Sequence, residues 1–167
     1  MKPLCLYFIL FISLTTSAQS NNQKPCTAPQ NSQFDFWIGD WNLTWNDTLH
    51  GTNTIEKIMG GCAVQENFFD PNTDYRGQSW SVYNPKTAQW QQTWVDDKGG
   101  YIALTGKMEG DKMILKTGGL QTQAGKQTSR MVFYNIKADS FDWSWEASND
   151  KGNTWKPTWQ IHYQRKK

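Results

Sequence analysis

From Phe34 onward, apolar and polar residues alternate in short runs separated by Gly, Pro, Asn and Asp. Trp41, Leu43 and Trp45 share one parity, opposite Asn42 and Thr44. Phe141, Trp143, Trp145 and Ala147 share another, opposite Asp142, Ser144 and Glu146. Trp155, Trp159, Ile161 and Tyr163 share a third, with Arg165 on the same parity. Period two with one apolar face marks a strand lying on a core. The pattern predicts strands near 40–46, 51–59, 62–69, 78–84, 88–96, 100–108, 111–117, 127–137, 140–148 and 154–164. Turn chemistry separates them: Gly60-Gly61, Asn84-Pro85-Lys86, Asp97-Lys98-Gly99-Gly100, Glu109-Gly110-Asp111 and Ala138-Asp139-Ser140. No long segment follows the helical period. Evenly spaced strands joined by hairpins predict an all-β, up-and-down antiparallel meander of about ten strands, and closing it into a barrel removes its edges. There is no repeat of about 40 residues, which argues against a propeller.

The first residues obey a different pattern. Met1-Lys2-Pro3 precedes an apolar run from Leu4 to Leu14 and the small, polar Ser-Leu-Thr-Thr-Ser-Ala. This reads as a signal peptide over residues 1–18, cut after Ala18. The apolar run is shorter than the roughly 20 residues a membrane span needs. Cys5 lies too early and Cys26 follows too polar a segment for a lipid anchor, so the expected product is exported, periplasmic or secreted, with no membrane span. Residues 19–32 are rich in Gln, Asn, Ser, Pro and Thr and read as a flexible linker, and residues 33–167 as one barrel domain.

Composition then narrows the partners. Of 17 Lys and Arg, Lys2 leaves with the leader, so 16 basic residues face 15 acidic ones and the product carries a net +1. That balance argues against a nucleic-acid partner, which needs a basic patch. Of 3 Cys, Cys5 also leaves. An even pair in an oxidising compartment predicts a Cys26–Cys62 bridge, the alternative being two buried free thiols.

The opening FDFWIGDWNLTW, residues 34–45, holds Phe34, Phe36, Trp37, Trp41 and Trp45 around one Gly. Gly39-Asp40-Trp41, at the start of the first strand, resembles the Gly-x-Trp signature of lipocalin-type (calycin) barrels. The resemblance implies that Trp41 packs across the closed end under an Arg from the last strand, and Arg165 occupies that place in the sequence. Phe34 to Trp37 would then be a short N-terminal plug. FDFWIGDW, GTNTIEKIMGGCAVQENF, YNPKTAQWQQTWVDDKGG and SNDKGNTW, in that order, resemble a family of exported bacterial proteins with an F-D-F-W-x-G-x-W opening. That family is labelled as a domain of unknown function, so the resemblance implies a lipocalin-like barrel and little about activity. It also places Cys62 at the family's Gly-Cys-Ala cysteine, with Cys26 as its partner.

Ser148-Asn149-Asp150-Lys151-Gly152-Asn153-Thr154-Trp155 matches the Asp-box pattern seen in sialidase propellers. Physically it is a hairpin turn in which Asp150 accepts backbone N–H groups, Gly152 supplies a left-handed backbone and Trp155 packs beneath. One copy is structural, with no catalytic meaning.

Chemistry is expected in the interior. Trp90, Gln92, Trp94 and Asp96 share one strand face; Cys62, Val64, Glu66 and Phe68 share another. If both point inward, Glu66 and Gln92 set polar groups among indoles, with Trp94, Trp143 and Trp80 as further candidate ligand contacts. Aromatic cavities with a few convergent polar groups are the usual small-molecule sites. The competing reading is a hydrogen-bonded structural pair, or a Glu at a wet mouth. A buried Glu66 would have a raised pKa and suit general acid–base work. The parity of residues 51–59 is ambiguous. Of two histidines, His50 sits in a loop and His162 points away from Trp159, Ile161 and Tyr163. Haem held through His162 is therefore not expected, and neither metal nor cofactor is predicted. The leading expectation is a barrel binding a small, partly apolar ligand. The alternatives are an enzyme on the same barrel with Glu66 as acid/base, and a carbohydrate-binding module using exposed Trp platforms. An interior cavity with a buried Glu would favour the first two; an interior filled solid by Trp would favour the third.

Overall fold

The computed structural model describes residues 24–118 and 128–167. Residues 1–18, expected from the sequence to be a signal peptide, lie outside the described residues, as does the start of the expected linker. Ten strands follow in order: β1 (Gly39–Trp45), β2 (Leu49–Ile58), β3 (Ala63–Asp70), β4 (Tyr75–Asn84), β5 (Gln89–Asp96), β6 (Tyr101–Glu109), β7 (Lys112–Thr117), β8 (Thr128–Tyr134), β9 (Ser140–Ser148) and β10 (Lys156–Arg165). Each pairs antiparallel with the next, and β1 pairs with β10, so the sheet closes into a ten-stranded up-and-down barrel without an edge. The run expected to reach residue 137 ends at Tyr134, because Asn135 turns into the left-handed region at φ 51°. Among the described residues, no helix is long and apolar enough to cross a membrane.

Alternation decides what faces the core. Trp41, Leu43 and Trp45 from β1, Val64, Glu66 and Phe68 from β3, and Trp90 and Gln92 from β5 are all buried on the inner face. The ambiguous strand, β2, turns Gly51, Asn53 and Ile55 inward. On β4 the middle of the inner face carries only small residues, Gly77, Ser79 and Ser81, between Tyr75 and Tyr83 at the two ends. The glycine is explained across the sheet: a side chain on Gly77 would collide with the Trp94 indole. Trp80 therefore points outward, its register partners Gln65 and Thr93 being on the outer face. This corrects its assignment to the ligand site.

One end is closed. Short 3-10 turns at Pro29–Ser32 and Asp35–Trp37 carry Phe34, Phe36 and Trp37 across it. Phe34 meets Trp90 edge-on at 4.7 Å and Phe133 at 5.6 Å, and Trp37 meets Phe133 at 5.2 Å. The ordered domain begins before residue 33: Asn31 is buried, and Gln33 accepts a hydrogen bond from the Trp90 indole N–H at 3.1 Å. The segment's polar composition conceals this, because it is pinned by the proline-initiated turn and a disulfide rather than by apolar burial. That disulfide joins Cys26 to Cys62 in the β2–β3 turn, with Cα atoms 5.1 Å apart.

Trp155 departs from its expected face. A bulge between Pro157 and Trp159 inserts one residue into β10, so the parity set by Trp159, Ile161 and Tyr163 does not extend back to Trp155. Trp155 instead lies beneath the Arg130 guanidinium, 4.2 Å from its ring centroid.

Candidate functional site

The interior is not filled solid. Above the plug lies a cavity of about 170 Å³. Its floor includes Trp37, Leu104, Met131 and Phe133, and its walls are Phe68, Tyr75, Trp94, Trp143, Trp145 and Trp159. The indoles set its shape. Trp143 and Trp145 are nearly parallel, 18° apart at 6.4 Å, whereas Trp159 stands at 85° to Trp143 at 5.6 Å. Phe68 is perpendicular to Trp159 in turn. At the rim, Asp96 ties two walls together by accepting the Tyr75 O–H at 2.9 Å and the Trp94 N–H at 3.3 Å on one oxygen. Its other oxygen accepts the backbone N–H groups of Lys98 and Gly100, and these bonds hold the carboxyl below its ordinary range.

One carboxyl reaches the cavity from inside. Register aligns Ile55, Glu66, Ser79, Trp94 and Ile102 across β2 to β6. Ser79 is thus directly opposite Glu66 and donates to Oε2 at 2.6 Å. Asn53, one pleat along β2, gives both its amide hydrogens away: to Glu66 Oε1 at 2.7 Å and to the Tyr163 hydroxyl at 3.2 Å. Glu66 is 6% exposed. Burial pushes its pKa up to about 7, and the bonds from Ser79 and Asn53 only partly offset that rise. Tyr163 is also raised, by burial first and then by the neighbouring Glu66 charge.

The structure brings Glu66, Trp94 and Trp143 together on the cavity. Gln92 is not on the cavity wall. It stands behind Glu66, donating to Ser79 at 3.2 Å and Ser81 at 3.0 Å, and is linked to the Glu66 carboxyl through Ser79. Among the described residues, three buried side-chain polar atoms have no protein partner: Trp37 Nε1, Asn53 Oδ1 and Gln92 Oε1. Trp37 itself lines the cavity.

The other candidates lie elsewhere. Arg165 sits 4.2 Å from the Trp41 ring centroid at the closed end and donates to the carbonyls of Ile38 at 2.8 Å and Phe36 at 3.3 Å. Gly39, at φ +128°, leaves the space that the guanidinium occupies. Asp150 organises the β9–β10 turn. It accepts Ser148 Oγ at 2.7 Å, the Thr154 N–H at 2.9 Å and Thr154 Oγ1 at 2.6 Å, which push its carboxyl well below the usual range. The Trp155 indole N–H closes that turn on the Gly152 carbonyl at 3.0 Å. His162 is on the outer face, 2.7 Å from Asp142 Oδ1, and no histidine lines the cavity. No group of three or more His, Cys, Asp or Glu among the described residues is placed to hold a metal ion.

Sequence reasoning missed Asn53, Ser79 and Tyr163 as partners of Glu66. For Tyr163, its parity with Trp159 and Ile161 was a usable signal, and the same parity could have found Trp145. For Asn53 and Ser79 there was none, because a polar residue on an inner face looks like an outer-face residue until register is known. The assembly is a closed antiparallel barrel with an aromatic cavity bordered by the buried Glu66 carboxyl. Its sequence matches no protein-family model, and no match is found among curated proteins.

Proposed function

We propose that this protein is an exported, lipocalin-like (calycin) barrel that binds a small, mostly apolar ligand in its interior against Glu66. The observation that carries the reading is the cavity: an aromatic chamber with one convergent polar cluster is the usual form of a small-molecule site. Its size favours a ligand of one or two rings, since a dry cavity of about 150 Å³ accepts benzene. The F-D-F-W-x-G-x-W opening and the Gly39–Trp41–Arg165 arrangement support the lipocalin-like assignment. The leader-like residues 1–18 and the Cys26–Cys62 bridge support export to an oxidising compartment. The Asp-box turn serves as a structural hairpin. The carbohydrate-module reading loses its support, because the interior is hollow and Trp80, the indole turned outward from mid-strand, is half-buried.

A second reading has one observation in its favour. A carboxyl with a pKa near 7 exchanges protons readily at neutral pH, so Glu66 is suited to act as general acid or base on a bound metabolite. Binding comes first in either case. Tryptophan emission titrated with benzene, phenol and indole is expected to show a saturable change, because five indoles, those of Trp37, Trp94, Trp143, Trp145 and Trp159, border the cavity. A correctly folded protein whose emission responds to none of them would end the interior-binding reading.

A further inference from the structure

We propose that the ligand is an organic monocation, an amine or quaternary ammonium group, seated between the indole walls with its charge against Glu66. This rests on the interior-binding reading and names the chemical class the site selects.

Charge balance is the first argument. Among the described residues lining the cavity there is no Lys, Arg or His, and Glu66 is the one carboxyl. An anionic ligand would meet a carboxylate with no counter-ion. A neutral ligand would leave the Glu66 charge buried and uncompensated whenever it forms. A cation supplies the missing charge.

Hydrogen-bond polarity is the second. Both Glu66 oxygens receive hydrogen bonds, from the Asn53 amide and the Ser79 hydroxyl, the arrangement that suits the ionised form. The protein has oriented its dipoles for a carboxylate and supplied no cation to go with it.

The walls are the third. Indole faces attract cations through their quadrupole, more strongly in a desolvated site. Trp143 and Trp159 meet at 85° and so present two walls of a cage rather than a stack. Tyr75 and Trp94 donate to the Asp96 carboxylate, which pushes electron density into both rings. Lys98, which is not part of the lining, holds its Nζ 5.0 Å from the Tyr75 centroid, so one ring of the wall already accepts a cation. Trp37, with an indole N–H that lacks a protein acceptor, leaves a place for one oxygen on the same ligand.

Protonation gives the proposal a signature. The groups facing Glu66 are Asn53 on β2 and Ser79 on β4, its two neighbouring strands, with Tyr163 of β10 joined through Asn53, none of them charged. Tyr163 is raised and Tyr75 is pushed up to about 12, so both keep their protons near neutrality, while Asp96 is held ionised. Glu66 is the lining group that titrates between pH 5 and 8. A cation binds its ionised form and expels its proton, so affinity rises by up to about tenfold per pH unit below 7 and levels off above.

Choline, its uncharged isostere 3,3-dimethylbutan-1-ol and the anion 3,3-dimethylbutanoate separate charge from shape. Each is titrated by calorimetry and tryptophan emission at pH 6 and pH 8, with wild type and Glu66→Gln. The expected result is choline at least about tenfold tighter than the alcohol at pH 8, a smaller margin at pH 6, proton release on binding at pH 6, and a reduced preference without pH dependence in Glu66→Gln. Circular dichroism confirms that the variant is folded, and the wild-type pH dependence stands as an independent readout if it is not. Equal or tighter binding of the alcohol at pH 8, or binding of indole with no response to choline, overturns the cation assignment and leaves interior binding intact. Silence from all three probes and from benzene, phenol and indole removes both.

Discussion

Glu66 is placed at a cost. Its carboxyl has an ordinary pKa of 4.5 and one of about 7 in the fold, so the native state holds its proton more tightly than the unfolded chain does. Between those values the unfolded state ionises and the native state does not, so this group makes stability fall as pH rises through that window. A difference of that size corresponds to about 3 kcal/mol above pH 7. Glu66→Gln keeps the shape and the oxygen that faces Asn53 while removing the ionisation. Chemical denaturation from pH 4 to pH 8 is expected to show the variant gaining about 3 kcal/mol relative to wild type as pH rises, with a plateau above 7. A flat difference across that range would mean that Glu66 is solvated.

The elements at the closed end depend on one another. β1 begins at Gly39, where the chain rises from the plug into the sheet, and β10 ends at Arg165, directly opposite Trp41 in register. Arg165 does two jobs: it covers the Trp41 ring and binds the Ile38 and Phe36 carbonyls that the short plug turn leaves unpaired in the sheet. Trp41 in turn donates its indole N–H to the Trp37 carbonyl at 2.8 Å. Plug, first strand and last strand are thus tied through two side chains. Trp41→Ala is expected to cost roughly 3–5 kcal/mol, as large-to-small core changes do. Arg165→Ala should cost less, and the double variant less than the two together, because the side chains share a contact. Additive losses in an equilibrium unfolding cycle would show that plug and closure are independent. The disagreement over Trp155 arises at the same scale: a single bulge reverses parity, and no alternation rule reads across it.

The whole molecule is stabilised by closure. Pairing β1 with β10 joins residues more than a hundred positions apart and removes the last free edge. The Cys26–Cys62 bridge closes a separation of 36 residues and ties the plug segment to the β2–β3 turn. On the chain-entropy model such a loop is worth about 3–4 kcal/mol. Thiol titration of the unfolded, unreduced protein is expected to find neither Cys26 nor Cys62 free. Cys26→Ser/Cys62→Ser should lower stability by about that amount while leaving the strand signal of the far-ultraviolet spectrum unchanged, since the barrel hydrogen bonds do not pass through the bridge. Loss of the strand signal in the double variant would show that the plug must be fixed before the barrel can close.

The sequence alone determined the ten strands, their order, the hairpin connections and the inward faces of β1, β3 and β5. Those features are local: period-two patterning and turn chemistry are written in neighbouring residues. It placed Glu66 among apolar neighbours for the same reason. Only the tertiary structure decided which residues meet Glu66, because Asn53, Ser79 and Tyr163 come from three other strands and register is a property of pairs. It also decided where bulk and emptiness lie. β4 turns Gly77, Ser79 and Ser81 inward and Trp80 outward, against the apolar-inside pattern, because the Trp94 ring already fills the space above Gly77. A side chain's volume is used once, and which strand supplies it is settled only when the sheet has closed.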